Sequence, residues 1–312
     1  MRVTQTMPET QLLANLDNLM TSILASQQEL ATGTSIQAPS DNPVGTALYL
    51  TIQRAQAWNG QWSASAQAAS GFMGAADQAM TQLTQILQSA HAIAVAANSG
   101  SVNPADLSAQ ASQVGELVQQ AETLANTQYG DQYVFAGTSG QAPWNQATGQ
   151  WNLTASPPGQ VVFEISSGVV VAGSVDGYAL FQGSVNGAGG PGILSPNGAS
   201  PAAGNVGVLQ QLESDLASGN TANLGSDIQL LEDAIAHVSA MQADLGARMQ
   251  RAQSVSAMLG QLGVELTKQA AQVDSTNMPQ MVAQLTNQQA VYQAALDIGA
   301  KMLMPTLASL IG

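Results

Sequence analysis

Residues 43–98 carry an apolar stripe that repeats every three or four residues, and this stripe constrains the fold more than any other feature of the chain. Because positions spaced by alternating threes and fours share one face of an α-helix, the pattern predicts one long helix that packs against a partner along its whole length. At ~1.5 Å per residue, this helix would be roughly 80 Å long. Asn42 and its two preceding residues are candidate N-caps, and Pro43 suits the first helical position. The stripe consists of Leu48, Ile52, Ala55, Asn59, Trp62, Ala66, Ala69, Met73, Ala76, Met80, Leu83, Leu87, Ala90, Ala94 and Ala97.

A second stripe of similar length lies between residues 224 and 273, and it predicts the antiparallel partner of the first long helix. A shorter helix is predicted before it, with Asn103 as N-cap, Pro104 at the first position and Gly130 at the end. The loop that precedes this shorter helix has few residues, so we expect the helix to fold back against the first long one. The second stripe consists of Leu224, Ile228, Leu231, Ile235, Val238, Met241, Leu245, Met249, Ala252, Leu259, Leu262, Leu266 and Val273.

Two further amphipathic helices are predicted, one over residues 9–31 and ended by Gly33, the other after Pro279. Helices of this length depend on tertiary contacts for their stability. Each has a main apolar stripe and a second apolar edge, formed by Leu12 and Leu19 in the first helix and by Leu296 and Leu303 in the second. The main stripes are Leu13, Leu16, Met20, Ile23, Gln27 and Leu30 in the first helix, and Met281, Leu285, Gln288, Tyr292, Ala295, Gly299 and Met302 in the second.

The second edges allow two interpretations. Both edges could pack inside a single four-helix bundle, or they could contact other copies of the chain. Contacts between different surfaces of identical subunits generate rings or helical tubes rather than closed dimers. We take the second interpretation as the hypothesis, with Leu12, Leu13, Leu16, Leu19, Met20, Ile23, Leu285, Tyr292, Leu296 and Leu303 as the candidate subunit-assembly residues.

Residues 131–204 differ in character, because short β-prone runs alternate there with Gly, Pro, Asn and Asp. Residues 183–204 have no periodicity and are predicted to form an exposed loop. The predicted strands lie within Tyr133–Phe135, Gln150–Leu153, Val161–Ile165, Val169–Val171 and Tyr178–Phe181.

The sequence as a whole predicts a mainly α fold, a long antiparallel helical coiled-coil rod with both termini at one end and a small inserted β-rich domain at the other. Residues 1–35 with 275–312 would form a terminal assembly domain. Residues 36–130 with 205–274 would form the helical rod, and residues 131–204 the inserted domain.

Composition excludes several functions. Six basic and 20 acidic residues give a formal charge of −14, which argues against a nucleic-acid surface or a patch for anionic membranes. The chain has no Cys, so disulfides and Cys-ligated zinc are excluded. No apolar run approaches the ~20 residues that a membrane-spanning helix needs. The first residues lack the pattern of a signal peptide, so we expect no cleaved signal peptide.

Catalytic chemistry is not predicted. His91 and His237 stand alone beside the two long stripes, without further ligands that would indicate a metal site. The neighbouring carboxylates Glu213 and Asp215 point to different faces of their helix, so they do not converge for acid–base work. We therefore expect no enzyme, no catalytic, cofactor-binding or metal-binding residues, and no cofactor.

Four short segments resemble the flagellin superfamily, and within it the branch at the hook–filament junction. They are Glu29-Leu-Ala-Thr-Gly33, Ala38-Pro-Ser-Asp-Asn-Pro-Val-Gly45, Asp131-Gln-Tyr-Val-Phe-Ala-Gly-Thr138 and Tyr292-Gln-Ala-Ala-Leu-Asp-Ile-Gly-Ala-Lys301. The second and third are the most specific. Their motif residues are Pro39, Ser40, Asp41, Asn42, Pro43, Gly45, Tyr133, Phe135 and Gly137.

The resemblance implies a structural, extracellular adaptor between hook and filament, exported through the flagellar type III channel. It implies a homo-oligomeric ring or helical layer, with a neighbouring hook-associated protein, flagellin and an export chaperone as partners, and neither nucleic acid nor membrane. Two alternatives remain open. The chain could be flagellin itself, the bulk filament subunit, or a secreted coiled-coil adhesin or effector outside the flagellum.

Overall fold

The computed structural model of the chain describes residues 6–99, 103–148, 150–152, 159–185, 191–194 and 207–303. Long helices dominate these residues and the strands are short, so the predicted mainly α class is confirmed. The helices are α1 (Thr6–Thr32), α2 (Pro43–Ala97), α3 (Pro104–Ala125), α4 (Val208–Ser218), α5 (Leu224–Asp274) and α6 (Met278–Leu303). The strands are β1 (Gln128–Tyr129), β2 (Gln132–Tyr133), β3 (Trp144–Asn145), β4 (Gln150–Trp151), β5 (Val162–Ser166) and β6 (Val169–Ala172), which form three antiparallel pairs in chain order.

The chain divides into two compact units. Unit 1 consists of Met1–Trp58 and Leu262–Gly312, and unit 2 consists of Asn59–Gln261. Helices α1 and α6 therefore belong to unit 1, whereas α3, α4 and the strands belong to unit 2. The three-domain division predicted from the sequence stays a prediction.

In unit 1, α1 and α6 pack side by side and run antiparallel. A Cβ atom on Gly299 would lie 2.9 Å from the Leu12 side chain, so the missing side chain lets the two helices approach closely. Farther along the pair, Gln288 donates a hydrogen bond to the Ser22 hydroxyl at 2.8 Å and accepts one from the Ser26 hydroxyl at 3.1 Å. Residue numbers rise along α1 as they fall along α6, which fixes the antiparallel direction.

The connector that follows α1 is bonded to the last residue of α5 and to the connector that follows it. The Ser35 amide donates to the Asp274 carbonyl at 2.6 Å, and the Ile36 amide donates to the Asp274 carboxylate at 3.0 Å. Thr34 and Ser275 form an antiparallel bridge beside these bonds. The buried carboxylate of Asp274 thus satisfies a backbone donor of the other connector.

Helix boundaries confirm two sequence signals and correct a third. Gly33 follows α1 with φ 73°, a left-handed conformation that favours glycine. Asn103 is the N-cap of α3, and its side chain accepts hydrogen bonds from two amides of the first turn. The prediction that Gly130 ends this helix is wrong. The C-cap is Asn126, and Gly130, with φ 59°, lies in the turn between β1 and β2.

In unit 2, α2 and α5 are antiparallel partners, as the matched stripes predict. Asn59 donates to the Leu259 carbonyl at 3.0 Å, and Gln242 donates to the Thr81 hydroxyl at 3.1 Å. α3, α4 and the inserted region share one apolar core with these two helices. Stripe residues that are almost completely buried in this core include Ala66, Ala69, Met73, Ala76, Met80, Leu83, Leu87, Ala90, Ala94, Ala97, Leu231, Val238, Leu245 and Ala252.

The predicted strand Tyr178–Phe181 is wrong, because these residues form a π-helical turn over Tyr178–Gln182. Asp176 starts the turn by accepting a hydrogen bond from the Ala179 amide at 3.1 Å. The side chains of Leu180 and Phe181 are both buried. Adjacent buried residues are compatible with a helical turn that is enclosed by protein, whereas a half-exposed strand would alternate.

The prediction of an exposed loop over residues 183–204 is also wrong where the structure describes it. Ile193 and Leu194 are completely buried, and the Leu194 amide donates to the Phe181 carbonyl at 2.8 Å. Residues 186–190 and 195–204 of that predicted loop lie outside the described residues, as does Leu153 of a predicted strand.

Two pairs of like-charged carboxyl groups involve α4. Burial, followed by the charge of Asp215, raises the pKa of Asp227 to about 7, and Gln211 donates to the Asp227 carboxylate at 3.1 Å. Burial, followed by the charge of Glu213, raises the pKa of Glu122 to about 7. A carboxyl group whose pKa is higher in the folded than in the unfolded chain binds its proton more tightly when folded. These groups therefore favour the folded state most at low pH, and that stability is lost as the pH rises towards about 7.

We therefore predict that unit 2 unfolds at a higher temperature at pH 5 than at pH 8. Asp227→Asn should raise the unfolding temperature at pH 8 and reduce the difference between the two pH values, because the amide cannot ionise. Circular dichroism during heating measures both effects. Asp233→Asn, which removes a half-buried acid from the same helix, is the matched control. Equal unfolding temperatures at pH 5 and pH 8 would contradict the prediction.

Candidate intersubunit surface

On α1, the predicted second edge faces α6, and part of the predicted main stripe is exposed instead. The row that faces α6 is buried or half-buried, and it contains Leu12 and Leu19. Leu13, which was predicted in the main stripe, is 65% exposed, and Met20 is exposed as well. Leu16 and Ile23, which lie between the two edges, face inward as predicted. The full inward row is Leu12, Leu16, Leu19, Ile23, Ser26 and Leu30.

A polar residue explains this correction. The inward row includes Ser26, whose burial is satisfied by its hydrogen bond to Gln288, whereas the predicted row places Gln27 at that level. Both rows are apolar over residues 12–20, so periodicity alone does not distinguish them. The hydrogen bond between two polar side chains in the α1–α6 interface settles the rotation of α1.

The stripe predicted on α6 is confirmed as the face towards α1. Its described members, from Met281 to Gly299, are buried or half-buried, and they include the candidate assembly residues Leu285 and Tyr292. Leu296 is 44% exposed, as expected for the second edge. Leu303 is the last residue of α6, and the side chains of Met302 and Leu303 lie outside the described part of the chain.

A set of large apolar side chains on α1 and α6 is exposed in the chain alone, and we call it the outer apolar set. At ~100° per residue, its α6 members form two edges, one on each side of the inward row. Those of α1 lie on one side of that helix. Such residues indicate a helix pair that packs against further helices. The outer apolar set is Leu13, Met20, Leu24, Met278, Val282, Val291, Leu296 and Ile298.

Charge is distributed unequally between the two units. Of the 20 acidic and six basic residues, 13 acidic and two basic residues lie in unit 2, and seven acidic and four basic residues lie in unit 1. Helices α1 and α6 together contain five charged residues in 27 and 26 positions. Their exposed faces are therefore apolar or amide-rich, and bringing copies together there costs little electrostatic repulsion.

The first family motif builds the start of α2. The Asp41 carboxylate accepts hydrogen bonds from the amides of Gln37 and Ala38 at 3.2 and 2.7 Å, which closes the turn around Pro39 and Ser40. The Asn42 side chain then accepts from the Gly45 amide at 2.8 Å, and Pro43 is the first helical residue. Any side chain at the buried Gly45 would collide with the amide of Asn42. These motif residues therefore shape the connector.

The second family motif belongs to the core of unit 2. Tyr133 ends β2, and Gly137 has the left-handed φ of 57°. Phe135 is buried and meets Phe181 edge to face, with ring centroids 5.3 Å apart. Trp151 stacks on Phe181, with ring centroids 5.6 Å apart. The sequence did not predict that these aromatic residues meet, because they come from separate segments of an aperiodic region.

The two histidines have local partners. His91 lies 3.4 Å from the Glu232 carboxylate, and His237 lies 2.9 Å from the Ala179 carbonyl. Within the described ranges, no group of three or more His, Cys, Asp or Glu side chains is placed to hold a metal ion. The described helices also include none with the length and hydropathy of a membrane span.

Known proteins resemble the chain in its N-terminal part and over almost its full length. A family model described as the bacterial flagellin N-terminal helical region matches residues 3–140. The flagellar hook-associated protein 3 of Escherichia coli is 23% identical over 317 residues, which cover 96% of this chain and 97% of that protein. The protein of that name from Salmonella typhimurium is 27% identical over 154 residues, 49% of each chain.

Solved structures give the same fold. The flagellar junction protein FlgL from Legionella pneumophila superimposes with a TM-score of 0.53 at 16% identity, over 74% of this chain and 100% of that one. At this identity the likeness shows a shared fold, and the family-model match is confined to residues 3–140. One relative that the chain matches over almost its full length is a flagellar hook-associated protein 3.

We predict that the same substitution at two leucines of α1 changes stability to very different extents. Leu19→Glu places a carboxylate in the α1–α6 interface, so it should destabilise this helix pair by roughly 2 kcal/mol and increase amide exchange in both helices. Leu13→Glu should change stability by no more than about 0.5 kcal/mol, because the side chain is exposed. Hydrogen exchange on the purified chain compares the two variants. Greater loss of protection from Leu13→Glu would reverse the assignment of the inward row.

Proposed function

We propose that the chain is a structural subunit of the bacterial flagellum, the adaptor that joins the hook to the filament. The observation that carries this proposal is the combination of the flagellin N-terminal helical region with similarity, over almost the full length, to a hook-associated protein 3. The solved relative described as a flagellar junction protein supports the same location. The role is structural, and it places the protein in the extracellular flagellum.

The outer apolar set supplies a physical basis for assembly. Burying a half-exposed Leu, Val or Ile side chain contributes ~1 kcal/mol, so the set offers a gross stabilisation of several kcal/mol per subunit. Loss of translational and rotational freedom offsets ~4 kcal/mol or more of this when two free chains associate. Assembly is therefore favoured where several neighbours bury the set at once, as at the end of a growing tube, and disfavoured for free pairs.

The remaining partners follow from this role. The chain would form a homo-oligomeric ring or helical layer, with a hook-associated protein on one side and flagellin on the other. Export through the flagellar type III channel requires an unfolded chain, and the absence of Cys suits that route because no disulfide can form beforehand. An export chaperone would cover the apolar residues of α6 before assembly.

A second candidate function is the bulk filament subunit, flagellin itself. The match of residues 3–140 to the flagellin N-terminal helical region is compatible with it as well, since that region is common to both kinds of subunit. The number of copies per flagellum separates the two, because an adaptor forms a single short layer. A secreted adhesin or effector would still be exported by cells without a flagellar export apparatus.

The deciding experiment is electron microscopy of a strain that lacks the gene. An adaptor predicts complete hooks without attached filaments, with flagellin released into the medium. Filaments of normal length on these cells would refute the adaptor role. Hooks without filaments and no released flagellin polymer or monomer would instead indicate the filament subunit.

We predict that Leu296→Glu prevents filament attachment but leaves the free chain folded and exported. In the free chain the new carboxylate is solvated, whereas in an assembled layer it would be buried among apolar side chains without a cation, at a cost of several kcal/mol per contact. Microscopy of hook tips and immunoblots of the medium measure attachment and export.

Ala290→Glu is the matched control for Leu296→Glu. At ~100° per residue, position 290 lies on the polar outward side of α6, away from both apolar edges, and it is exposed. It adds the same charge to the same helix and should leave filaments in place. If cells with only the Leu296→Glu chain carried normal filaments, this edge would not be an intersubunit surface.

A further inference from the structure

A ridge on α2 within unit 1 carries large side chains that are exposed in the chain alone. Trp58 is 57% exposed. Leu50, which lies eight residues earlier on the same helix, is exposed as well. At ~100° per residue, Leu50 lies opposite the buried side of α2, which Ile52 and Asn59 define, and Trp58 lies on the flank, about 100° from that side. Arg54 lies between them on the same ridge. Trp and Arg are the residue types that most often dominate the energy of protein interfaces.

Arg54 is also free of any acidic partner among the described residues. Its guanidinium contacts only its own helix, at 3.4 Å from the Leu50 carbonyl and from the Thr51 hydroxyl. It is the only basic residue within α2, a helix of 55 residues. The ridge therefore presents a large aromatic ring beside an uncompensated positive charge.

An open groove on unit 2 has the complementary character. It lies between α2 and α3 and has a volume of about 700 Å³. Its floor is apolar and consists of Ile86, Leu117 and Leu124, while Gln side chains and Glu116 form its walls. Glu116 is exposed and has no cation within 4 Å in the described part of the chain.

The ridge and the groove floor have similar lengths. From Leu50 to Trp58 the ridge extends ~12 Å along its helix, and from Leu117 to Leu124 the floor extends ~10 Å. Residues 50, 54 and 58 follow the four-residue spacing by which a helix ridge enters the groove between residues of another surface. An apolar ring can cover the floor while the guanidinium reaches the carboxylate on the wall.

We propose that the ridge of Leu50, Arg54 and Trp58 docks into the α2–α3 groove of a second copy of this chain, with Arg54 paired to Glu116. This inference rests on the proposed function, because it adds a second contact to the assembled layer. The occupant is a second copy because one sequence supplies both an exposed apolar ridge with an unpaired cation and an apolar groove of similar length with an unpaired carboxylate. Since they are different surfaces, the contact is heterologous and propagates around a ring or helical layer.

The absence of native Cys allows a direct test by disulfide cross-linking. Ala57→Cys on the ridge and Gln120→Cys on the groove wall are placed in one chain, and flagella from cells that produce it are oxidised. The contact predicts a ladder of dimers, trimers and larger species on non-reducing gels. Each single variant should stay monomeric. Ala57→Cys combined with Ala105→Cys, ~22 Å farther along α3, is the control pair and should give no ladder.

A charge exchange tests the ion pair in the same strain. Arg54→Glu places two carboxylates together, so it should reduce the number of filament-bearing cells by about tenfold or more. Glu116→Arg in the same chain should restore most of them. Secretion of the variants should be unchanged, which separates assembly from export.

Three outcomes would overturn the proposal. They are the absence of a ladder from the Ala57→Cys, Gln120→Cys chain, normal filaments with Arg54→Glu alone, and cross-linking of a photoreactive residue at position 58 to a protein other than this chain. None of them affects the adaptor role, which the deletion strain tests separately. Normal filaments on cells that lack the chain would refute the proposed function, whatever the result of the cross-linking.

Discussion

The packing of α2 against α5 in unit 2 is the contact on which the other elements of that unit depend. On the α2 side, most of the buried stripe residues are alanines, and the larger ones are Met73, Met80 and two leucines. Small residues let the partner helix approach closely. Small side chains bury little area each, so the stability comes from the length of the contact rather than from any single residue. α3, α4 and the inserted region then complete the same apolar core. Without the paired long helices, these short elements would have no surface to cover.

Periodicity made the helices predictable, because a repeat held over many turns leaves few alternatives. It located α2, α5 and the inward face of α6, and the cap at Asn103 followed from local chemistry. It failed on the rotation of α1, where two apolar rows compete and a buried hydrogen bond between Ser26 and Gln288 decides. It failed also in the inserted region. There the burial of Ile193 and the turn at Tyr178–Gln182 depend on contacts with distant parts of the chain.

The candidate surface was predictable in part for the same reason. Leu296 was identified as an edge residue from its place beside a stripe, and its exposure agrees with that. Leu24, Val291 and Ile298 were not identified, since a sequence shows which side chains are apolar but not which remain uncovered. Trp58 illustrates the limit most clearly. A large aromatic side chain such as Trp58 is expected in a core, yet it is exposed. Its neighbour Asn59 is buried, so the difference depends on the position of each residue around the helix.

The scarcity of charge in α1 and α6 has a consequence for how a joint made from them responds to its surroundings. Added salt screens interactions between charges, and these helices contribute few, so ionic strength should change the strength of the joint only slightly. The stabilisation that comes from burying apolar surface weakens on cooling, because it is almost entirely entropic near room temperature. A layer held by such helices would therefore tolerate fresh and saline water equally well, and it would be weakest in the cold.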